Sequence, residues 1–152
     1  MTEKPNILIL IPAYNEAERL RPVVDASLQQ LPVLVVDDGS TDDTAALAKA
    51  AGAEVLQQVP NQGKGAALRA GFRQALERGY DAVITLDADG QHDPAAIEKL
   101  VLAYERASPA CNAVVGSCVS RASHGRRIAW RFLRRLGNLR VRDLTSGYRL
   151  YD

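Results

Sequence analysis

The chain has 152 residues, of which 47% are hydrophobic and 24% charged, and its formal net charge is +1. That length suffices for one domain with a sizeable core, and that balance of apolar and charged residues excludes a chain too polar to collapse. No apolar run approaches the roughly 18 residues a membrane-spanning helix needs, and the N-terminus lacks the charged-then-apolar plan of a signal peptide, so a cytoplasmic protein is expected.

The small net charge conceals an asymmetry. Residues 1–120 carry 10 Lys and Arg against 16 Asp and Glu, whereas residues 121–152 carry 9 against 2. The last fifth of the chain is therefore cationic, which suits either a solvated face or an anionic partner such as nucleic acid, lipid headgroups or a phosphorylated substrate. Cys111 and Cys118 flank a predicted strand and have no CxxC or His-rich neighbourhood, so they read as reduced, partly buried thiols rather than zinc ligands.

In chain order, residues 6–11 are a buried strand, followed by the loop Pro12-Ala13-Tyr14-Asn15-Glu16. A helix is predicted from 17 or 18 to 30, with Pro22 tolerable only in its first turn. Residues 33–36 form a second strand closed by Asp37-Asp38-Gly39-Ser40. Thr41-Asp42-Asp43 offers an N-cap and first-turn acids to a helix that runs to 51 and ends at Gly52. A weaker strand spans 54–58, and after the loop Pro60-Asn61-Gln62-Gly63-Lys64-Gly65 a helix spans 66–78. Residues 82–86 form a fourth, nearly continuous apolar strand, of the kind buried on both faces of a parallel sheet. A helix from 94 to 106 and a fifth strand at 113–116 complete five strand–helix alternations, the pattern of a doubly wound, largely parallel α/β sheet in a single domain.

The chemistry concentrates in Leu86-Asp87-Ala88-Asp89-Gly90-Gln91-His92-Asp93-Pro94. A strand ending Asp-Ala-Asp should aim Asp87 and Asp89 to one side, because side chains two apart share a face in extended backbone. Two such carboxylates repel unless a cation lies between them, which points to a hard divalent ion such as Mg²⁺ or Mn²⁺. The plainer alternative is a polar loop whose Asp93 and Pro94 begin the next helix. In open α/β sheets ligands bind beyond the carboxyl ends of the strands, so the loops at 12–16, 37–40 and 87–91 are expected to converge.

Other signals are weaker. Gly63-Lys64-Gly65 lacks the spacer and the Ser or Thr of a P-loop, and Leu68 occupies the last glycine position of GxGxxG. Asp37 and Asp38 suit either a helix cap or a contact to ribose or base. His92 reads as a hydrogen-bonded loop residue or a base, and Ser40 and Ser146 have no His/Asp arrangement to activate them. The segment 126–139, RRIAWRFLRRLGNL, places Ile128, Ala129, Phe132, Leu133 and Leu136 on one helical face and Arg127, Arg131, Arg134 and Arg135 on the other. That basic, partly amphipathic stretch of the region 121–142 fits either packing on the sheet or a membrane surface.

Five pieces in order carry a resemblance that no single one carries: Ile11-Pro12-Ala13-Tyr14-Asn15-Glu16, Val36-Asp37-Asp38-Gly39-Ser40-Thr41-Asp42, Asn61-Gln62-Gly63-Lys64-Gly65, Leu86 to His92, and Asp143-Leu144-Thr145-Ser146-Gly147-Tyr148-Arg149. The chain resembles a family 2 glycosyltransferase of the GT-A fold, most like the branch of dolichyl- and polyprenyl-phosphate mannose and glucose synthases. The resemblance implies transfer of a hexose from a nucleoside-diphosphate sugar, of the GDP-mannose or UDP-glucose type, to a lipid phosphate, with inversion and with Mg²⁺ or Mn²⁺.

On that resemblance Pro12, Ala13, Tyr14 and Glu16 border the nucleoside, Asp38 holds base or ribose, and Lys64 lies close by. Asp87 binds or positions the metal through water, Asp89 and Gln91 are direct ligand candidates, and Asp143 orients the acceptor or serves its own loop. Asp89 and Asp143 are thus the catalytic candidates, and Arg149 is a substrate-binding candidate. The family commonly has an arginine after the Gly116-Ser117 pair, where this chain has Cys118, and Arg121 is the candidate substitute. Relatives also carry more residues between Asn138 and Val141 and continue past Asp152, so a fragment or a minimal form is expected.

An enzyme so built acts peripherally at the inner face of the membrane, with the segment 126–139 as its contact. The alternatives are a nucleotide-sugar-binding, membrane-recruited module without catalysis, a phosphatase, and a nucleic-acid binder. The phosphatase type expects its DxD after the first strand, with Thr or Val where Gln91 stands. Binding of nucleic acid rests on the arginines alone and is not expected.

Overall fold

A computed structural model of the chain describes residues 4–90, 96–107, 113–116 and 148–152. Its elements in order are β1 (Ile7–Ala13), α1 (Ala17–Leu28), β2 (Val33–Asp37), α2 (Thr44–Ala50), β3 (Glu54–Gln57), α3 (Lys64–Glu77), β4 (Ala82–Thr85), α4 (Ile97–Glu105), β5 (Ala113–Val115) and β6 (Arg149–Tyr151). They build one six-stranded sheet in the order β3-β2-β1-β4-β6-β5. The first four strands of that order run parallel, and β6 runs antiparallel to both β4 and β5.

The expected α/β class with a mostly parallel sheet is borne out, and β6 is the addition. It is three residues long and carries no apolar run, so nothing local marks it as a strand. Its place comes from long-range pairing, Ile84 to Leu150 on one side and Val114 to Leu150 on the other, which buries Leu150 completely.

Alternation along the strands sorts the core into two layers. Ile7, Ile9, Ile11, Val33, Val35 and Ile84 face α1, α2 and α4 through Leu20, Val23, Val24, Ala48, Ile97 and Leu100. Leu8, Leu10, Leu34, Val36 and Val83 face α3 through Ala67 and Ala75. α3 lies close against the sheet at Gly71, where a Cβ would run into the buried Leu10 side chain.

Two prolines depart from their expected settings. β1 extends through Pro12 and Ala13, which pair with Val36 and Asp37. The Ile9 N–H points toward β2, where it meets the Pro32 carbonyl, so the nitrogen of Pro12, an odd number of residues on, faces β4. The Leu86 N–H still donates to the Leu10 carbonyl at 3.0 Å, and the ladder with β4 ends there, where Pro12 has no N–H to extend it. Pro22 is the sixth residue of α1, beyond the first turn where it was expected to be confined. The carbonyl it leaves without an N–H is that of Glu18, and both residues are exposed, so water can serve that acceptor.

Other boundaries shift by one to three residues. α1 stops at Leu28, and α3 begins at Lys64 because the Gly63 carbonyl accepts the N–H groups of Ala66 and Ala67. β5 stops at Val115, after which the Gly116 N–H donates to the Tyr148 carbonyl at 2.9 Å. Asp93, Pro94, Cys111, Cys118 and the basic segment 126–139 lie outside the described residues, among which no helix is long and apolar enough to cross a membrane.

The packing at Gly71 sets a test. Alanine there gains about 1 kcal/mol of helix propensity against the cost of the clash, whereas valine adds bulk without that gain. Gly71→Val is expected to lower stability by about 1–3 kcal/mol and Gly71→Ala by less. Urea unfolding checks both, and a valine variant as stable as the parent protein would contradict the close approach of α3 to β1.

Candidate functional site

The carboxyl ends of β1, β2 and β4 open onto one cleft of about 460 Å³. Pro12, Ala13, Tyr14 and Glu16 come from the end of β1 and its loop, Asp38 from the end of β2, Asn61, Gly63, Lys64 and Ala67 from the entry to α3, and Asp87, Ala88 and Asp89 from the loop after β4. The three loops singled out in the sequence do converge. Of the residues expected to bind substrate or metal, Pro12, Ala13, Tyr14, Glu16, Asp38, Lys64, Asp87 and Asp89 line this cleft. Gln91, Arg121, Asp143 and His92 lie outside the described residues.

The β1–α1 loop is tied to the β2–α2 loop by side chain to backbone bonds. Asn15, with φ 53°, accepts from the Thr41 N–H at 2.8 Å through Oδ1, and its own N–H donates to Ser40 Oγ at 2.9 Å. The Glu16 N–H donates to Thr44 Oγ1 at 2.9 Å, and the Ala17 N–H donates to Asp42 Oδ2 at 3.2 Å. Asp42 Oδ1 accepts the Thr44 N–H at 3.0 Å, which gives α2 its N-terminal partner one residue earlier than its first flanking position. Burial raises the Asp42 pKa, but the Thr44 hydroxyl and the N–H groups of Thr44 and Ala17 outweigh it, so the carboxyl titrates below its ordinary value. Ser40 thus serves as a structural hydroxyl.

The two aspartates that end β2 have separate partners. Asp37, 1% exposed, accepts the Ser40 N–H at 3.1 Å and Gln57 Nε2 at 3.1 Å. Asp38, 3% exposed, accepts the Gln62 N–H at 2.9 Å through Oδ1 and the Gly63 N–H at 2.7 Å through Oδ2. Neither caps α2, so the capping alternative does not hold for them. The loop before α3 packs so close that a Cβ on Gly39 would lie 2.7 Å from the Asn61 nitrogen, and the φ of +75° there favours glycine as well.

Asp87 and Asp89 share the cleft for a different reason from the one expected. β4 ends at Thr85, so strand alternation does not reach them. The chain turns instead about the buried Ala88 and through Gly90, with φ 73°, and leaves a partly exposed carboxylate on each side of Ala88. Lys64 Nζ donates to Asp87 Oδ1 at 2.6 Å, with the lysine side chain 57% exposed and the aspartate 25%.

Arg149 lines a neighbouring pocket of about 200 Å³ together with Pro12, Lys64, Leu68, Thr85, Asp87 and Tyr151. Pro12, Lys64 and Asp87 border both spaces, so the Lys64–Asp87 pair is part of the wall between them. Thr85 Oγ1 donates to the Arg149 carbonyl at 3.4 Å, and the Tyr151 ring packs edge-on against Phe72 with centroids 5.2 Å apart. Sequence reasoning missed Asn61, Gly63 and Ala67 as lining residues, although the Asn-Gln-Gly stretch was a visible signal. Thr85 and Tyr151 had none, because β6 itself was hidden.

The donor chemistry fits a divalent ion. Carboxylate oxygens from two residues open into one cleft, the hard ligands that Mg²⁺ and Mn²⁺ favour, and a lysine ammonium already stands as a cation against one of them. Among the described residues no third His, Cys, Asp or Glu lies close enough to these two to form a three-ligand group.

Removing the Asp38 carboxylate leaves the Gln62 and Gly63 N–H groups without their partner. Asp38→Ala is therefore expected to lower stability by about 1–3 kcal/mol, and urea unfolding measures it. An unchanged unfolding midpoint would mean that the loop before α3 holds itself.

The family description "Glycosyl transferase family 2" matches residues 8–151. The chain is 37% identical over 165 residues to the undecaprenyl-phosphate mannosyltransferase of Micrococcus luteus, covering 95% of this chain and 65% of that protein. It is 34% identical over 163 residues to the polyprenol monophosphomannose synthase of Mycolicibacterium smegmatis, covering 95% and 60%. The crystal structure of glucosyl-3-phosphoglycerate synthase from Mycobacterium tuberculosis in complex with Mn²⁺, UDP-glucose and phosphoglyceric acid is similar with a TM-score of 0.71 at 26% identity, over 97% of this chain and 57% of that one. The chain spans less than two thirds of the length of both curated relatives. A match that begins in β1 and ends in β6 takes in the whole sheet, and the chain belongs to glycosyl transferase family 2, with its GT-A fold.

Proposed function

We propose that the cleft binds a nucleoside-diphosphate sugar together with Mg²⁺ or Mn²⁺ and that the protein transfers the hexose to a polyprenyl phosphate with inversion. The observation that carries this reading is the charge of the cleft. Its described lining holds four carboxylates, Glu16, Asp38, Asp87 and Asp89, against the single ammonium of Lys64. A diphosphate entering such a lining is repelled unless a divalent cation accompanies it.

Each residue then has a physical task. Tyr14, 48% exposed at the cleft, offers a ring face to a base. Asp38 acts chiefly by holding the 62–63 backbone in place, and its remaining lone pairs can still accept from ribose or base. Asp87 and Asp89 hold the cation, which neutralises charge that builds on the leaving diphosphate. An acceptor phosphate is already ionised near neutral pH, so its oxygen can attack the anomeric carbon from the side opposite the diphosphate without a strong base, and that single displacement inverts the centre.

The acceptor class is supported by the activities for which the Micrococcus and Mycolicibacterium relatives are named, and the donor and metal by the complex of the Mycobacterium structure. Gln91 as a third ligand, Arg121 at the phosphates, Asp143 at the acceptor and Arg149 at the substrate belong to the same proposal. The segment 126–139 is proposed to bring the protein to the inner membrane surface, since a polyprenyl phosphate keeps its tail in the bilayer. Release of nucleoside diphosphate from donor in the presence of lipid phosphate separates transfer from binding without turnover.

Calorimetry with GDP and UDP tests the metal. The parent protein should bind a nucleoside diphosphate in Mn²⁺ and lose that affinity in chelator, and Asp89→Ala should remove the difference. Equal affinity of the parent protein under both conditions refutes the metal role. For the membrane, arginines near an anionic surface contribute roughly 1 kcal/mol each. Binding to anionic vesicles should therefore fall as salt rises and vanish in Arg131→Glu with Arg135→Glu. Equal co-sedimentation with neutral and anionic vesicles at low salt sinks that assignment.

A further inference from the structure

The Lys64–Asp87 pair joins a fixed pivot to a half-exposed head. The Gly63 N–H, one residue before Lys64, is held by the buried Asp38 carboxylate at 2.7 Å, so the backbone entering α3 is clamped. Beyond that clamp the lysine side chain is 57% exposed and reaches into the wall shared by the two pockets, where its ammonium sits 2.6 Å from Asp87 Oδ1.

We infer that Lys64 is a resident counter-ion of Asp87 that a divalent cation displaces, and that its ammonium then turns to the donor's diphosphate. The inference rests on the metal reading given under Proposed function. The ammonium would be displaced from Asp87 Oδ1 by a divalent ion bound there, because two cations at one oxygen repel strongly at such short range. Its next strong partner in a cleft lined by carboxylates is the anionic diphosphate that arrives with the ion. Cation and nucleotide then support each other's binding, since each relieves a cost that the other meets when alone, and that support is reciprocal.

The test is Mn²⁺ affinity, measured by calorimetry on the parent protein and on Lys64→Met and Lys64→Gln, each with and without UDP or GDP. Without nucleotide, both variants should bind Mn²⁺ about two- to fivefold more tightly than the parent, the range of a half-exposed ion pair. The factor by which nucleotide raises Mn²⁺ affinity should fall in both. Mn²⁺ affinity that is unchanged or weaker in the nucleotide-free variants overturns the inference while leaving the metal reading intact. Failure of the parent protein to bind Mn²⁺ with or without nucleotide overturns both.

Discussion

The arrangement of the site depends on one carboxylate. Asp38 is buried at the end of β2, and its two oxygens take the N–H groups of Gln62 and Gly63. Charge-assisted bonds of this kind are among the stronger hydrogen bonds in a protein, and here they join residues 24 and 25 positions apart. They determine where α3 begins, hence where Lys64 stands, hence what faces Asp87 across the cleft. A residue that sequence reasoning assigned to the nucleoside is in the first place the anchor of the wall that the nucleoside would meet.

A second constraint is the asymmetry of the sheet. β1 lies between β2 and β4, parallel to both, so three carboxyl ends open side by side and their loops meet. β6 runs the other way, so its first residue, Arg149, stands beside the last residue of β4, Thr85. Parallel strands deliver loops to the site, and the antiparallel strand delivers a side chain at its own start. This is why Arg149 borders a pocket next to the main cleft although it is far from the other site residues in sequence.

Electrostatics and geometry point the same way. The described lining of the cleft is acidic, whereas the Micrococcus and Mycolicibacterium relatives are named for lipid-phosphate products or acceptors. Within that lining Lys64 supplies a positive charge against Asp87. The cationic region from residue 121 onward is the other reservoir of positive charge, and its nine Lys and Arg lie almost wholly outside the described residues.

Much of this was legible in the sequence, because the signals were local. Continuous apolar runs mark strands buried on both faces, small and amphipathic stretches mark the helices between them, and polar residues placed directly after strands mark the ligand end of an α/β sheet. Those regularities determined the fold class and the convergence of three loops, while the resemblance carried by five motifs pointed to most of the eight expected residues that line the cleft. Only the tertiary structure decided the rest, because the deciding contacts are long-range. Leu150 becomes a strand residue only by meeting Ile84 and Val114, and Asp38 becomes an anchor only by meeting Gln62 and Gly63. Asp87 and Asp89 share the cleft through a turn around the buried Ala88 rather than through strand alternation, and Asp87 meets Lys64 23 positions away. Pattern along the chain records which face a residue prefers, but a polar side chain's partner is chosen by whatever the folded sheet brings within hydrogen-bond reach.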